Sequence, residues 1–447
     1  MPTTLDCELL RDLYGTDEVR AAFDSQALVQ AWLDVEVALA EAQAEVGIVP
    51  PEAAQRIREE ACATNFDLGV LRSGIAASKH PLVPLIRALG ERCGEAGAWV
   101  HWGATTQDVV DTGFTLQARA ALVPIARDLD RATRAAAVLA DRYADTPMAG
   151  RTHFQHAVPI TFGLKAATWA DELDRARQRL GRAGEAALTA QLSGAAGTFA
   201  TLGGDAEAVQ EAFSRRLGLA RADVHWHATR DRVRDLGHAL AELGSVAERI
   251  AAEIVRLQST ELAEAAEPST EAHVGSSTMP QKRNPMTCEY VIASARALRA
   301  SVSAVADAPA HAFERDMGFW AIEWLAFPQA MILAGGVLDK LAGVLEELHV
   351  DGARMEANLA LTEGQIMAEA VMMALGRSLG HETAHRLVGQ ASRRAAAEAT
   401  PLRDALLAVP EVCAGLDGAE LDALLDPARY LGLAPASARA VSQRILA

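Results

Sequence analysis

The sequence predicts an all-α protein, on three observations. Half of its 447 residues are apolar but only 5% are aromatic. Alanine and leucine supply most of that apolar surface, and both favour helices. Runs of β-branched or aromatic residues alternating with polar ones are scarce, so half-buried strands are not expected. Several stretches much longer than an average globular helix keep an apolar face at helical spacing.

The elements follow in order. The first segment, 1–111, reads as short helices, of which 27–46 is the clearest. Leu28, Trp32, Val35, Leu39, Ala42 and Val46 share one face of it, while Asp34, Glu41 and Glu45 point away. Pro50-Pro51 ends it. The middle segment, 112–350, reads as long helices near 114–143, 160–187, 230–263, 287–306 and 322–348. Their lengths and small residues suit a close-packed bundle. Pro124 is expected near the start of the first or at a kink in it. The last segment, 351–447, has shorter helices. Three domains with these limits are expected, without internal repeats or low-complexity tracts.

Composition narrows the function. The formal charge of 42 − 59 = −17 argues against nucleic acid or an anionic membrane as partner. The acidic residues are spread along the chain, as on solvated helix faces, so an anionic substrate needs a local positive site. Cys7, Cys62, Cys93, Cys288 and Cys413 form no CxxC pair, which suggests reduced thiols in the cytoplasm, with Cys288 as a packing residue. The start, MPTTLDCELLRDLYG, lacks the order of a signal peptide. The most apolar stretch, 325–338, is too short for a membrane span and holds Pro328 and Gln329. Neither a dinucleotide fingerprint nor a phosphate loop occurs, and the His225/His227 pair reads as structural. No cofactor or metal is expected.

The breaks between helices are rich in Gly, Thr and Ser: HWGATTQDVVDTG at 101–113, TPMAGRTHFQHAVP at 146–159, LSGAAGTFATLGG at 192–204 and EAAEPSTEAHVGSSTMPQKRNP at 264–285. The run Gly275-Ser276-Ser277-Thr278-Met279-Pro280-Gln281-Lys282-Arg283-Asn284-Pro285 builds no core. It gathers hydroxyls, an ammonium and an amide beside a helix N-terminus expected near Pro285, a setting that favours anions. Lys282 and Asn284 can stabilise charge developing on a carboxylate.

This run closely resembles the GSSxMPxKxNP signature of the fumarase/aspartase superfamily. The resemblance spans essentially the whole chain, because GATTQDVVDT and GRTHFQHAVPITFG resemble the other two signature regions in the right order. It implies a homotetramer whose long central helices form a twenty-helix bundle, with active sites shared between subunits. It also implies removal of a proton next to a carboxylate, an aci-carboxylate intermediate, a departing group and, usually, fumarate. Carried over, Ser276 is the catalytic base, and Lys282 and Asn284 hold a carboxylate. His153 is the general acid or a positioning partner, and Thr105, Thr106 and Gln107 contact substrate. His80, Ser277, Met279 and Arg315 complete the expected substrate-binding set. The substrate is then a small dicarboxylate.

In overall texture the chain resembles the 3-carboxy-cis,cis-muconate cycloisomerases. That branch carries tryptophan at the position of His153 and a small polar residue at that of His80. The histidine pair is instead similar to adenylosuccinate lyase, whose phosphate-binding serine and arginine are replaced here by Trp320 and Trp324. Two indoles supply no charge for a phosphate; they either roof a small substrate or pack the core at i, i+4 spacing. The resulting expectation is fumarate-forming elimination of a nitrogen leaving group, an amine or the nitrite of nitrosuccinate. The cycloisomerase is the alternative, and adenylosuccinate lyase ranks below both.

Overall fold

The computed structural model describes residues 4–269, 278–306 and 311–447. Five helices dominate them: Thr106–Arg142, Phe162–Ala187, Asp231–Leu257, Met286–Ala306 and Met317–Glu346. The fold is all-α as expected. The largest departure in the long helices is that the first begins at Thr106 rather than 114. Gln107, Asp108, Asp111, Thr112 and Thr115 are all buried there. The inward face of these turns is polar, so hydropathy gives no sign of a helix. Pro124 consequently lies in the helix interior and not near its start, where it removes one backbone donor.

A second departure is a hairpin inside the stretch read as a break. Strands Pro147–Thr152 and Gln155–Thr161 pair antiparallel, with Arg151 opposite His156 and Thr152 opposite Gln155. His153 and Phe154 form the two-residue turn, at φ 51° and 62°. A type I′ turn needs positive φ at both places, which Asn-Gly usually supplies. His-Phe carries no such signal.

By its contacts the chain forms two units. Unit one is Met1–Leu129, Ala176–Glu248 and Tyr290–Asp339; unit two is Asp130–Arg175, Arg249–Glu289 and Lys340–Ala447. In unit one, helix Ser25–Glu45 starts on an Asp24 cap and buries Val29, Trp32, Leu33, Val35 and Leu39. They share a core with Ile57, Leu85, Leu89 and Phe213. Pro51 opens the next helix, Pro51–Glu60, a place where its missing N–H costs nothing.

Helix Met317–Glu346 is long and apolar enough to cross a membrane, yet 61% of its most apolar window is buried inside the protein. In unit one Phe327 meets Phe114 edge-on at 5.2 Å. A Cβ on Gly336 would come within 2.4 Å of the Tyr14 carbonyl, so the small residue there admits a close backbone approach. These are the contacts of a core helix. In unit two, Val371, Leu375, Val388, Leu402 and Leu406 make one core, and Ala149, Leu359, Ile366 and Met367 a smaller one that includes the hairpin.

Candidate active site

The first turn of helix Thr106–Arg142 organises the candidate site residues of unit one. Asp108, 1% exposed, accepts the Thr105 N–H at 3.0 Å, the Ser193 N–H at 3.1 Å and the Gly194 N–H at 2.9 Å. His227 Nε2 lies 2.9 Å from the same carboxylate. One buried anion thus ties three separate segments, and its desolvation is offset by charge-assisted bonds. His225 lies under the second segment. Gly197, at φ 86°, passes so close that a Cβ would meet its ring at 2.2 Å, so only glycine fits.

On this frame the expected substrate residues of unit one come together. Arg315 donates from Nε to Gln107 Oε1 at 2.8 Å, and from Nη2 to Thr105 Oγ1 and the Ala195 carbonyl, both at 3.1 Å. Gln107 Nε2 donates to the His227 carbonyl at 2.9 Å. His80 Nδ1 accepts the Val83 N–H at 3.3 Å, which assigns the neutral ring's proton to Nε2, 3.2 Å from Thr106 Oγ1. His80, Thr105, Thr106 and Arg315 therefore line one donor-rich patch that suits a carboxylate, whereas Gln107, fully buried, does not reach it and instead holds Arg315 from behind. The sequence marks the 192–204 break without a site role and does not mark Asp108, because a buried aspartate looks like any surface one in a sequence.

The strand of chain leading into this patch has its own anchor. Glu36, 2% exposed, accepts the His101 N–H at 2.9 Å and pairs with His101 Nδ1 at 2.7 Å. Gln43 Nε2 holds the Trp102 carbonyl at 2.7 Å. Burial alone would lower the His101 pKa, but the Glu36 charge and hydrogen bond outweigh it and hold the imidazolium above its usual range. A raised folded pKa gives stability that is full below the unfolded value, about 6.5. It is lost as pH rises through the folded value. Melting temperature should therefore fall from slightly acidic into neutral and alkaline pH, and His101→Asn, which tolerates the residue's φ of 61°, should flatten that slope. Parallel curves for the two proteins would refute the assignment.

Deeper in unit one, Arg230, 3% exposed, is bidentate to Asp111, at 2.7 and 3.0 Å, and to Glu323. Its guanidinium lies 4.7 Å from the Trp226 ring centre. Burial pushes the Glu323 carboxyl above its usual range, against the pull of Arg230. Trp320 donates its ring N–H to Asp111 at 2.8 Å, is 3% exposed, and meets Trp324 edge-on at 4.7 Å. Core packing, rather than a substrate roof, is what Trp320 does. His227 is likewise fully buried, as is Cys288 in unit two.

Unit two carries His153 at the exposed hairpin tip, in a left-handed conformation rare for its type. Strained residues of this kind concentrate at functional sites. The strand before it is anchored by Arg151, bidentate to Glu264 at 2.9 and 2.6 Å, and Asn358 Nδ2 also donates to Glu264 at 2.8 Å. Burial and the nearby Arg151 charge push the His156 imidazole below its usual range. Ser276 and Ser277 lie outside the described residues. Met279 and Lys282 are exposed and Asn284 is half-buried. Among the described residues no side-chain contact joins His153 to Lys282. The helix after the signature run begins at Met286, but its first-turn N–H groups do not face a substrate. Glu267 takes those of Thr287 and Cys288, at 3.0 and 2.8 Å. The anion-favouring helix end expected from the sequence is already filled by the protein's own carboxylate.

Comparison with known proteins places this geometry. Residues 14–299 match the family described as lyase, and residues 364–441 match the adenylosuccinate lyase C-terminus. The chain belongs to that lyase family, the fumarase/aspartase superfamily. It is 41% identical to the 3-carboxy-cis,cis-muconate cycloisomerase of Pseudomonas aeruginosa, over 96% of this chain and 94% of that one. It is 36% identical to the N-acetyl-S-(2-succino)cysteine lyase of Enterococcus italicus, over 96% and 94%. The crystal structure of the 3-carboxy-cis,cis-muconate lactonizing enzyme from Pseudomonas putida superposes with a TM-score of 0.92 at 38% identity, covering 98% of this chain and all of that one.

Proposed function

We propose that the protein is a 3-carboxy-cis,cis-muconate cycloisomerase, acting in the cytoplasm as a homotetramer with shared active sites and without a cofactor. The full-length likeness to cycloisomerases is the observation that carries the reading, and the donor patch around Arg315 is compatible with a polycarboxylate substrate. In the lactonising direction one carboxylate oxygen adds to a conjugated carbon. The displaced electron pair moves toward a neighbouring carboxylate and forms an aci-carboxylate, and the carbon next to that group takes a proton from Ser276. Ser276 recovers its proton from solvent, so the tricarboxylate and one proton give the lactone dicarboxylate. Lys282 and Asn284 hold the charge that builds on the aci-carboxylate, and Thr105, Thr106, His80 and Arg315 orient the remaining carboxylates, with Gln107 fixing Arg315. Ser277 and Met279 complete the loop's contacts.

The nitrogen-leaving-group elimination expected from the two histidines yields first place, because the relatives above give it no support. Run in reverse, lactonisation is itself an elimination whose leaving group is a carboxylate. A carboxylate departs without a proton, since its conjugate acid has a pKa of about 4, so no general acid is required. The tautomer of His80, and His153 at its tip, favour as second reading an elimination from a substituted succinate that releases fumarate, with His153 assisting the departing group. Turnover assays with 3-carboxy-cis,cis-muconate, N-acetyl-S-(2-succino)cysteine and nitrosuccinate separate the readings. Lactone formation with the muconate at least about a hundredfold faster, in kcat/KM, than fumarate release from either succinate is expected. Faster fumarate release would reverse the order.

A further inference from the structure

Gln258 follows directly on helix Asp231–Leu257, and its side chain joins both stems of the signature loop. Its Oε1 accepts the Glu267 N–H at 2.9 Å, and its Nε2 donates to the Arg283 carbonyl at 3.2 Å. Glu267, 8% exposed, passes the restraint onward through the Thr287 and Cys288 N–H groups. Four hydrogen bonds thus link residue 258 to 267 and 283, and residue 267 to 287 and 288. A side-chain amide suits the first link, because it offers an acceptor and a donor in one rigid plane. The carbonyl it grips belongs to the residue between Lys282 and Asn284.

We infer that Gln258 and Glu267 are positioning residues that set the register in which Lys282 and Asn284 meet a substrate carboxylate. The inference rests on the reading of those two as carboxylate ligands. Its chemical basis is that Glu267 cancels the partial positive charge of the Met286–Ala306 helix end. Substrate charge is then left to the Lys282 ammonium and Asn284 amide, whose placement becomes decisive. An error of about 1 Å at such a group costs on the order of a hundredfold in rate.

The test uses the full chain. Gln258→Met keeps length and removes both bonds; it should lower kcat/KM on 3-carboxy-cis,cis-muconate about 10- to 100-fold. In a Lys282→Met, Asn284→Ala background the same change should cost less than about threefold, because its effect passes through those two residues. Equal losses in the two backgrounds would overturn the inference, since a general structural defect adds independently. Amide hydrogen exchange gives a readout free of activity. Thr287 and Cys288 should be protected in wild type and exchange faster in Glu267→Gln, which keeps only one acceptor oxygen; unchanged exchange would also overturn it. With fumarate as the binding probe, the two failures separate. If wild type neither turns over the muconate nor binds fumarate while Glu267→Gln still loses protection, the clamp stands and the reading of Lys282 and Asn284 falls.

Discussion

Arg230→Met is expected to destabilise the protein by about 3–5 kcal/mol, the range for removing one partner of a buried ion pair. The substitution leaves Asp111 and Glu323, both buried, facing each other without a counter-charge. Glu323, already pushed toward its neutral form by burial, would take up a proton. Asp111 would keep only its bond from Trp320 among the contacts described above. Urea denaturation of wild type and variant measures the difference, and a loss under about 1 kcal/mol would remove the network's claim to hold the core beneath the site. Adding Glu323→Leu to Arg230→Met should recover part of the loss, because it deletes one of the stranded charges. That recovery is a non-additivity that only coupled groups show.

Ser276→Ala is expected to lower kcat at least about a hundredfold, the scale of losing a general base, with a much smaller change in KM. A binding contact would instead raise KM and spare kcat. The same variant should lose incorporation of solvent deuterium next to the substrate carboxylate, monitored by NMR at substrate equilibrium. Retention of more than about a tenth of wild-type turnover would end the assignment of this hydroxyl as base.

These two variants mark what a sequence can and cannot reveal. Ser276 is named by a long motif of fixed order, and nothing about it requires a fold. The long helices are equally legible, because residues such as Leu236, Leu240, Leu243 and Val246 bury one face at helical spacing. Arg230 is different. Its partners are 119 residues before it and 93 after it, and an arginine in a polar helix start looks like a surface residue. The same blindness hides the first turns of helix Thr106–Arg142, where polar side chains face inward because they bond to Gln191 and His227 on distant segments. The hairpin escaped because His153 and Phe154 occupy backbone conformations that their side chains do not advertise. For Trp320 the spacing leaves core packing and a substrate roof both open, since its partner Asp111 lies on a distant helix.

Asp108 has a wider meaning for how this scaffold diversifies. It grips its loops through peptide groups and a structural histidine. The side chains of Thr105 and Thr106 take no part in that grip, whereas the buried Gln107 does, through the His227 carbonyl. Thr105 and Thr106 can be exchanged while the loops stay put, giving a fixed socket with interchangeable contacts. A body of this kind can be retuned from one polyacid to another by a few surface replacements, without rebuilding the foundation underneath.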